Sequence, residues 1–240
     1  RFLLTGSSAR KLRSKGVNLL GGRARELHLH PFVTKELGAL FNLKHALNHG
    51  LIPSIYFSDD PKADLSTYIG NYLTQEIAAE ALTRNIPAFS RFLTIAALCN
   101  GTIINFTNVA NDSQVKRTTV YEYFEILKDT YLIKELPAFL KGKSRKPIAS
   151  SKYYFFDIGV ARQLQGRESY TPATKEYGEA FETFIINEFF AYSDYVKPLQ
   201  LNYWRSVSHL EVDLIVNHEI AIEIKAKNQI NTDDIKTLLS

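Results

Sequence analysis

The sequence predicts a multi-domain protein of mixed α and β class, and three observations support that prediction. Its 240 residues are enough for two small domains with a sizeable core. Residues 1–60 alternate strand-like and helix-like segments, whereas residues 61–170 are mainly helical and end in a hairpin pattern. Residues 171–240 combine one long apolar helix with three strands.

Composition excludes several classes of protein. Hydrophobic residues make up 45% of the chain and charged residues 22%, which is ordinary for a globular protein. No apolar run approaches the roughly 20 residues of a membrane-spanning helix, and no signal-peptide pattern is present. We therefore expect no membrane partner and a cytoplasmic location. The single cysteine, Cys99, excludes an internal disulfide and a cysteine-based zinc site.

The first region, residues 1–60, has an α/β rhythm. Its pattern predicts a strand, a helix, a turn and a second strand, at residues 2–4, 9–15, 21–22 and 27–30. Pro31 ends the second strand, and Thr34 is placed to cap a helix that runs to about His49. Two strands are too few for the sheet of an α/β domain, and the sequence has no Met and starts at Arg1. We therefore expect this chain to be a piece of a longer protein.

The second region, residues 61–170, has the layout of a winged helix. Helices are predicted near residues 66–84, 88–99, 105–110 and 117–131, followed by a hairpin with a basic turn at 141–146. The apolar residues of the last helix follow i, i+3, i+4, i+7 spacing: Val120, Tyr123, Phe124, Leu127 and Tyr131. A short helix, a turn and a longer amphipathic helix form a helix-turn-helix, and the hairpin is placed like its wing.

Charge favours DNA as the partner of this region. Residues 110–152 hold nine Lys or Arg against five Asp or Glu, while the rest of the chain holds twenty of each sign. A local basic excess is typical of nucleic-acid contact. The predicted contacts are Lys116, Arg117, Thr118, Lys141, Lys143, Arg145 and Lys146. The alternative is a winged helix that contacts protein, which Glu122 and Glu125 favour because carboxylates repel phosphate.

The third region, residues 171–240, brings two carboxylates and a lysine together. Strands near 210–217 and 219–226 carry their apolar side chains at even positions, so a hairpin that buries both sets needs a loop of odd length. A loop such as 217–219 pairs residue 216 with residue 220. Asp213 then lies opposite Glu223, with Lys225 on the same side. Because close carboxylates repel, the pattern predicts Mg²⁺ bound by Asp213 and Glu223. The alternative is the solvated outer face of an amphipathic hairpin.

A third acidic residue is predicted on the helix that precedes these strands. The helix spans about residues 173–193, and Glu182 lies within its apolar stripe, where an unpaired carboxylate is costly. Glu179, on a neighbouring face, is the rival. The predicted catalytic residues are therefore Glu182, Asp213, Glu223 and Lys225, and Lys225 would stabilise developing negative charge or orient a water.

This order of residues resembles the PD-(D/E)XK fold of restriction-type nucleases. More widely, the chain resembles prokaryotic AAA-superfamily ATPases that carry a C-terminal domain of unknown function. The similar segments are LLTGSSA (3–9), NLLGGRA (18–24), FFDIGVA (155–161) and GEAFE (178–182). The resemblance implies the C-terminal remnant of an ATPase core at 1–60, a winged helix at 61–170 and a truncated nuclease-like domain at 171–240.

The resemblance also implies functions for the N-terminal residues. Ser7 and Ser8 match the sensor position of such ATPases, and Arg23 matches an arginine finger or phosphate sensor. No G-x-x-x-x-G-K-[ST] motif occurs, so we expect ATP to bind only in the full-length parent. The implied function is part of an AAA-type ATPase that acts on or near DNA, with DNA and other ATPase copies as partners. The alternatives are a non-enzymatic DNA- or protein-binding module that regulates the ATPase and a transcription regulator.

Overall fold

The computed structural model describes residues 27–73, 85–140, 150–208, 210–235 and 238. Within them the protein is of mixed α and β class, with helices and two small antiparallel sheets, as predicted. Several predictions lie outside the described residues. They are the elements at 2–4, 9–15 and 21–22, the proposed ATPase residues Ser7, Ser8 and Arg23, and the basic-turn residues Lys141, Lys143, Arg145 and Lys146.

The first half of the described chain is helical. Its helices are α1 (Thr34–Leu37), α2 (Leu43–His49), α3 (Pro53–Tyr56), α4 (Pro61–Thr67, continued by the π-helix Tyr68–Leu73) and α5 (Ile86–Leu98). The prediction of one helix from Thr34 to His49 is wrong. Gly38 adopts φ +52° and ends the first segment, and Asn42 starts the second by accepting a hydrogen bond from the His45 N–H.

The strand predicted at residues 27–30 is also wrong. These residues form no strand, and Leu27 and Leu29 are 83% and 95% exposed. The alternation of leucine and histidine suggested one apolar face, but no described strand pairs with this segment. An extended segment without a neighbour has no ladder of backbone hydrogen bonds, so alternation alone does not make it a strand.

The helix-turn-helix order is confirmed. Helix α6 (Phe106–Ser113) is followed by Gln114 in the left-handed region and by helix α7 (Arg117–Asp129). The apolar stripe of α7 is buried as predicted, except that Tyr131 lies beyond the helix end. Strand β1 (Ile133–Leu136) then pairs antiparallel with β2 (Lys152–Phe155), which gives the predicted hairpin.

The C-terminal part places a sheet against a long helix. Helix α8 (Ile158–Leu164) and helix α9 (Lys175–Tyr195) precede strands β3 (Leu201–Arg205), β4 (Glu211–Val216) and β5 (Ile220–Ile222). The strands are antiparallel in the order β3-β4-β5, and Val216 pairs with Ile220 as predicted. The helix expected near residue 231 is a short 3₁₀ turn at Thr232–Ile235.

Two hydrophobic clusters form the core of the described residues. The larger one contains buried side chains from Leu37 to Phe184 and extends across both predicted domain boundaries. The smaller one joins the hairpin, α9 and the C-terminal sheet through Leu136, Tyr154, Ile186, Leu201, Tyr203, Leu214 and Val216. None of the helices in the described part of the chain is long and apolar enough to span a membrane.

Candidate carboxylate–lysine site

Asp213 and Glu223 lie together at the open end of the last hairpin. Each is one residue beyond Leu214–Ile222, which is the last pair of the ladder between β4 and β5. Asp213 Oδ2 accepts a hydrogen bond from the Ile224 N–H at 2.8 Å, and Lys225 Nζ lies 2.5 Å from Glu223 Oε1 and 3.8 Å from Asp213 Oδ2. The apolar pattern of two strands therefore brings the three predicted residues into one group.

Glu182 reaches this group from α9. Its Oε1 accepts hydrogen bonds from Tyr154 Oη at 2.7 Å and Lys152 Nζ at 3.3 Å, both on β2. Helix α9 is fixed against β2 because Asn187 donates to the Phe155 carbonyl at 3.0 Å. The rival Glu179 points elsewhere and pairs with Arg167 and Lys175 at 3.5 and 3.3 Å. Of the two predicted alternatives, Glu182 is the one near the site.

The site also contains a fourth carboxylate and a buried lysine that the sequence did not predict. Glu211, at the start of β4, lies 2.5 Å from Lys152 Nζ and 3.3 Å from Arg205 Nη1. Lys152 thus contacts both Glu182 and Glu211 while its side chain is 4% exposed. A lysine in an apolar-looking strand was the signal, since a lysine is almost never fully buried unless it is paired.

Burial and mutual charge set the protonation of these groups. Burial raises the pKa of the Glu182 carboxyl, with Asp213 adding to the rise and Lys152 opposing it. Burial likewise raises the pKa of Glu223 against the hydrogen bond from Lys225. Burial alone would lower the pKa of Lys152, but Glu182 and Glu211 raise it. Burial therefore favours the neutral form of the Glu182 and Glu223 carboxyls, and the ammonium groups of Lys152 and Lys225 oppose this effect.

The pair formed by Asp213 and Glu223 fits a hard divalent cation. Glu223 Oε2 is buried and has no hydrogen-bond partner among the described residues, so a cation would give this oxygen the contact it lacks. Nowhere in the described ranges do three or more His, Cys, Asp or Glu side chains gather to hold a metal. Mg²⁺ matches this arrangement because it commonly takes one or two carboxylates and completes its shell with water and phosphate.

The predicted DNA-binding end of α7 is exposed. Lys116, Arg117 and Thr118 are all exposed at the start of the helix, and the side chain of the N-cap residue Lys116 makes no capping hydrogen bond. Arg117 Nη2 donates to Tyr121 Oη at 3.0 Å. Tyr121 in turn stacks on Phe106 of α6, with 4.1 Å between ring centroids. The first turn of α7 therefore exposes positive charge, and the position of Arg117 is held by its contact with Tyr121, which packs on α6.

His28 and His30, in the segment before α1, have separate contacts. His30 Nε2 lies 2.7 Å from Asp194 Oδ2, and the same oxygen accepts from Lys134 Nζ at 2.9 Å. His28 instead packs edge-on against Tyr131, with 5.1 Å between ring centroids. His30 therefore ties the segment before α1 to the end of α9.

The fold combines a helix-turn-helix and a hairpin with a C-terminal sheet. Together they hold a carboxylate–lysine group, which consists of Lys152, Glu182, Glu211, Asp213, Glu223 and Lys225. A family model described as a domain of unknown function (DUF8612) matches residues 40–171, which is more than half of the chain. The chain belongs to that family. A second model, also a domain of unknown function (DUF4143), matches residues 177–240 and so contains most of the carboxylate–lysine group.

The curated relatives are uncharacterized proteins of bacteria. Proteins of Mycobacterium tuberculosis and Mycobacterium bovis are each 24% identical over 220 residues, which is 90% of this chain and 49% of each relative. A protein of Haemophilus influenzae is 22% identical over 206 residues, which is 78% of this chain and 50% of that relative. The chain thus spans about half the length of the curated relatives it matches. No solved structure matches it.

Proposed function

We propose that the C-terminal sheet is a nuclease-like site that cleaves phosphodiesters with Mg²⁺ bound by Asp213 and Glu223. The observation that carries the proposal is the grouping of Asp213, Glu223 and Lys225, in which one buried carboxylate oxygen of Glu223 has no hydrogen-bond partner among the described residues. A bound Mg²⁺ would polarise a phosphodiester and lower the pKa of an attacking water.

The protein's own side chains would orient the substrate and stabilise charge. The Ile224 N–H fixes one oxygen of Asp213 and leaves the other free of that bond. Lys225 is 33% exposed at its side chain, so it can reach a phosphate that approaches from solvent. An ammonium at that place stabilises negative charge that develops on the phosphate oxygens. Glu182, held by Tyr154, keeps a further carboxylate beside Asp213.

We propose that α7 delivers DNA to this site. Lys116 and Arg117 lie at the N-terminus of the second helix of the helix-turn-helix. In DNA-binding proteins this end of the second helix contacts phosphates and base edges. The acidic residues that argued against DNA lie further along the helix. Glu125 is ion-paired with Lys128 at 3.1 Å, so much of its repulsion toward phosphate is offset.

The proposed context is a larger AAA-type ATPase. This part of the proposal depends on the resemblance and is supported by the length of the relatives, which leaves room for an ATPase core. ATP would bind the full-length parent only, and other copies of the ATPase would be partners. Ser7, Ser8 and Arg23 stay as proposed sensor and arginine residues of that core.

A second candidate function is a non-enzymatic module that binds DNA or protein. The observation that favours it is Lys152, which neutralises Glu182 and Glu211 inside the fold. Those two carboxylates are then unavailable to a metal. Only Asp213 and Glu223 remain as protein ligands, which are few for a catalytic metal site. Such a module would bind DNA without cleaving it.

The test combines metal binding with DNA cleavage. Mn²⁺ would be titrated by calorimetry into the wild type, Asp213→Asn and Glu223→Gln, and Mg²⁺-dependent cleavage of duplex DNA measured in parallel. Asp59→Asn and Glu219→Gln are matched controls, because both carboxylates are exposed. We expect Asp213→Asn to abolish Mn²⁺ binding and to slow cleavage about 100-fold or more, while both controls behave as wild type. DNA binding without any cleavage would support the non-enzymatic module.

A further inference from the structure

Lys152 has an unusual position for a lysine. Its backbone pairs with Leu136 on one side and forms a bridge to Ile103 on the other, so it is fixed in the middle of the hairpin sheet. Its side chain crosses to the C-terminal sheet, where Nζ lies 5.3 Å from the centroid of the Tyr203 ring. The ammonium ends between two carboxylates that come from different elements, Glu182 on α9 and Glu211 on β4.

We infer that Lys152 is a positioning residue that acts as a built-in counter-ion, occupying the place between Glu182 and Glu211 that a divalent cation would otherwise take. Asp213 and Glu223 are then the pair left for a metal, because their lysine, Lys225, is 33% exposed and can move away, whereas Lys152 is 4% exposed. The description of these two as the metal pair depends on the proposed function, whereas the counter-ion function of Lys152 does not. A lysine from the hairpin would thus limit the number of divalent cations that the carboxylates of the C-terminal sheet can bind.

Geometry supports charge compensation over simple packing. Two carboxylates converge on one ammonium, at 2.5 Å from Glu211 Oε1 and 3.3 Å from Glu182 Oε1. The remaining contacts do not replace it, because Tyr154 gives Glu182 only a neutral hydrogen bond and Arg205 contacts the other oxygen of Glu211. Removing the buried ammonium would leave two close carboxylates with too little positive charge, which is a costly state unless a cation enters.

Two sheets also meet at this lysine. The Tyr203 N–H donates to the Pro137 carbonyl at 3.1 Å, and the Phe139 N–H donates to the Tyr203 carbonyl at 2.7 Å. The strand that contacts Lys152 from the C-terminal sheet is therefore joined by backbone hydrogen bonds to the chain leaving the hairpin. This connection holds the ammonium and its carboxylates in a fixed relation.

The experiment counts bound Mn²⁺ ions by calorimetry in the wild type, Lys152→Met, Lys152→Arg and the double variant Lys152→Met/Glu211→Gln. We expect Lys152→Met to bind one more Mn²⁺ per chain than the wild type, and the double variant to lose that extra ion. Lys152→Arg keeps the charge and should bind as many ions as the wild type. Lys175→Met is the matched control, since Lys175 pairs with Glu179 on the outside of α9 and its side chain is 85% exposed.

The counts separate this inference from the proposed nuclease site. If the wild type binds no ion but Lys152→Met binds one that needs Glu211, the counter-ion function stands and the metal site of Asp213 and Glu223 fails. If the wild type binds one ion that Asp213→Asn removes, and Lys152→Met adds none, the nuclease site stands and the counter-ion function is overturned.

Thermal unfolding covers the case in which Lys152→Met is unstable. We expect Mn²⁺ to raise the melting temperature of Lys152→Met more than that of the wild type, and Glu211→Gln to cancel the difference. If Lys152→Met stays unfolded in Mn²⁺ while Lys152→Arg folds, a cation cannot take the place of the ammonium and the inference is wrong. If the double variant is also unfolded, Lys152 acts through packing and the inference is again wrong.

Discussion

The Asp157 carboxylate accepts a hydrogen bond from the Leu51 N–H at 2.6 Å, although the two residues are 106 positions apart. Its other oxygen accepts from the Val160 N–H at 2.9 Å and so caps helix α8. One buried side chain therefore starts a helix and fixes the chain between α2 and α3. The helix cap is a contact over three residues of sequence, whereas the contact with Leu51 is supplied only by the fold.

The first prediction concerns the pH dependence of stability. Burial raises the pKa of Asp157 from 3.8 to about 6, although four backbone N–H groups oppose the rise. The folded protein keeps this proton up to about pH 6, whereas the unfolded chain releases it near 3.8. The stabilisation is complete below pH 3.8 and is lost as the pH rises through 6, by about 3 kcal/mol at most.

Asp157→Asn should remove this contribution, so its free energy of unfolding should fall less steeply between pH 4 and 6 than that of the wild type. Urea unfolding at several pH values measures the slope. Glu182 and Glu223 have raised pKa values as well, so part of the slope should remain in the variant. Asp59→Asn, at an exposed carboxylate, is the control. Equal slopes in Asp157→Asn and the wild type would refute the prediction.

The second prediction compares two glycines from the segments that resemble the ATPase family. A Cβ at Gly159 would lie 2.4 Å from the backbone of His49, whereas a Cβ at Gly178 on α9 would meet nothing within 4 Å. Gly159→Ala should lower the free energy of unfolding by about 2 kcal/mol because α8 must move away from α2. Gly178→Ala should raise it by up to about 1 kcal/mol through helix propensity. Chemical denaturation measures the free energy of unfolding of both variants. If the two substitutions changed it by similar amounts, the close packing of α8 on α2 at Gly159 would be contradicted.

The sequence predicted which carboxylates form the site better than it predicted the residues that contact them from distant parts of the chain. Alternation in β4 set the register that places Asp213 and Glu223 next to the last pair of the hairpin, because a slip of one residue would expose the buried side chains of Val212, Leu214 and Val216. Glu182 followed from the cost of a carboxylate in an apolar stripe. The burial of Lys152 left a signal in its apolar surroundings, but its partners could not be predicted, since they come from elements 30 and 59 residues further along the chain.

The same limit explains the errors near the N-terminus. Residues 27–30 alternate like a strand, but a strand needs a neighbour, and the described chain offers none at that place. The helix expected over 34–49 breaks at Gly38, where a positive φ costs glycine nothing. In both cases the local pattern was real, and the tertiary contacts decided the structure.

The third prediction concerns the attachment of the N-terminal segment. Asp194 Oδ2 contacts His30 Nε2 at 2.7 Å and Lys134 Nζ at 2.9 Å, and it joins residues before α1 to the end of α9. Burial alone would raise the pKa of Asp194, but Lys134 and His30 lower it, so this stabilisation is present at neutral pH and lost in acid. Asp194→Asn should speed hydrogen exchange at the amides of His30 and Phe32 at pH 7, and the difference in rate from the wild type should narrow as the pH falls below 4. Exchange rates at these two amides equal to those of the wild type would show that the carboxylate does not hold the segment.

The last prediction tests whether α7 contacts DNA phosphates. Each lysine or arginine that neutralises a phosphate releases counterions, so its loss should reduce the magnitude of the slope of log K against log salt by about 0.9. Lys116→Ala and Arg117→Ala should each show this change on duplex DNA, because both side chains are exposed at the first turn of the helix. Lys175→Ala, which removes an exposed lysine on α9, should leave the slope unchanged. Binding whose salt dependence is the same in all four proteins would mean that α7 contacts something other than the DNA backbone. The helix-turn-helix would then serve protein contacts, as Glu122 and the partly neutralised Glu125 would allow.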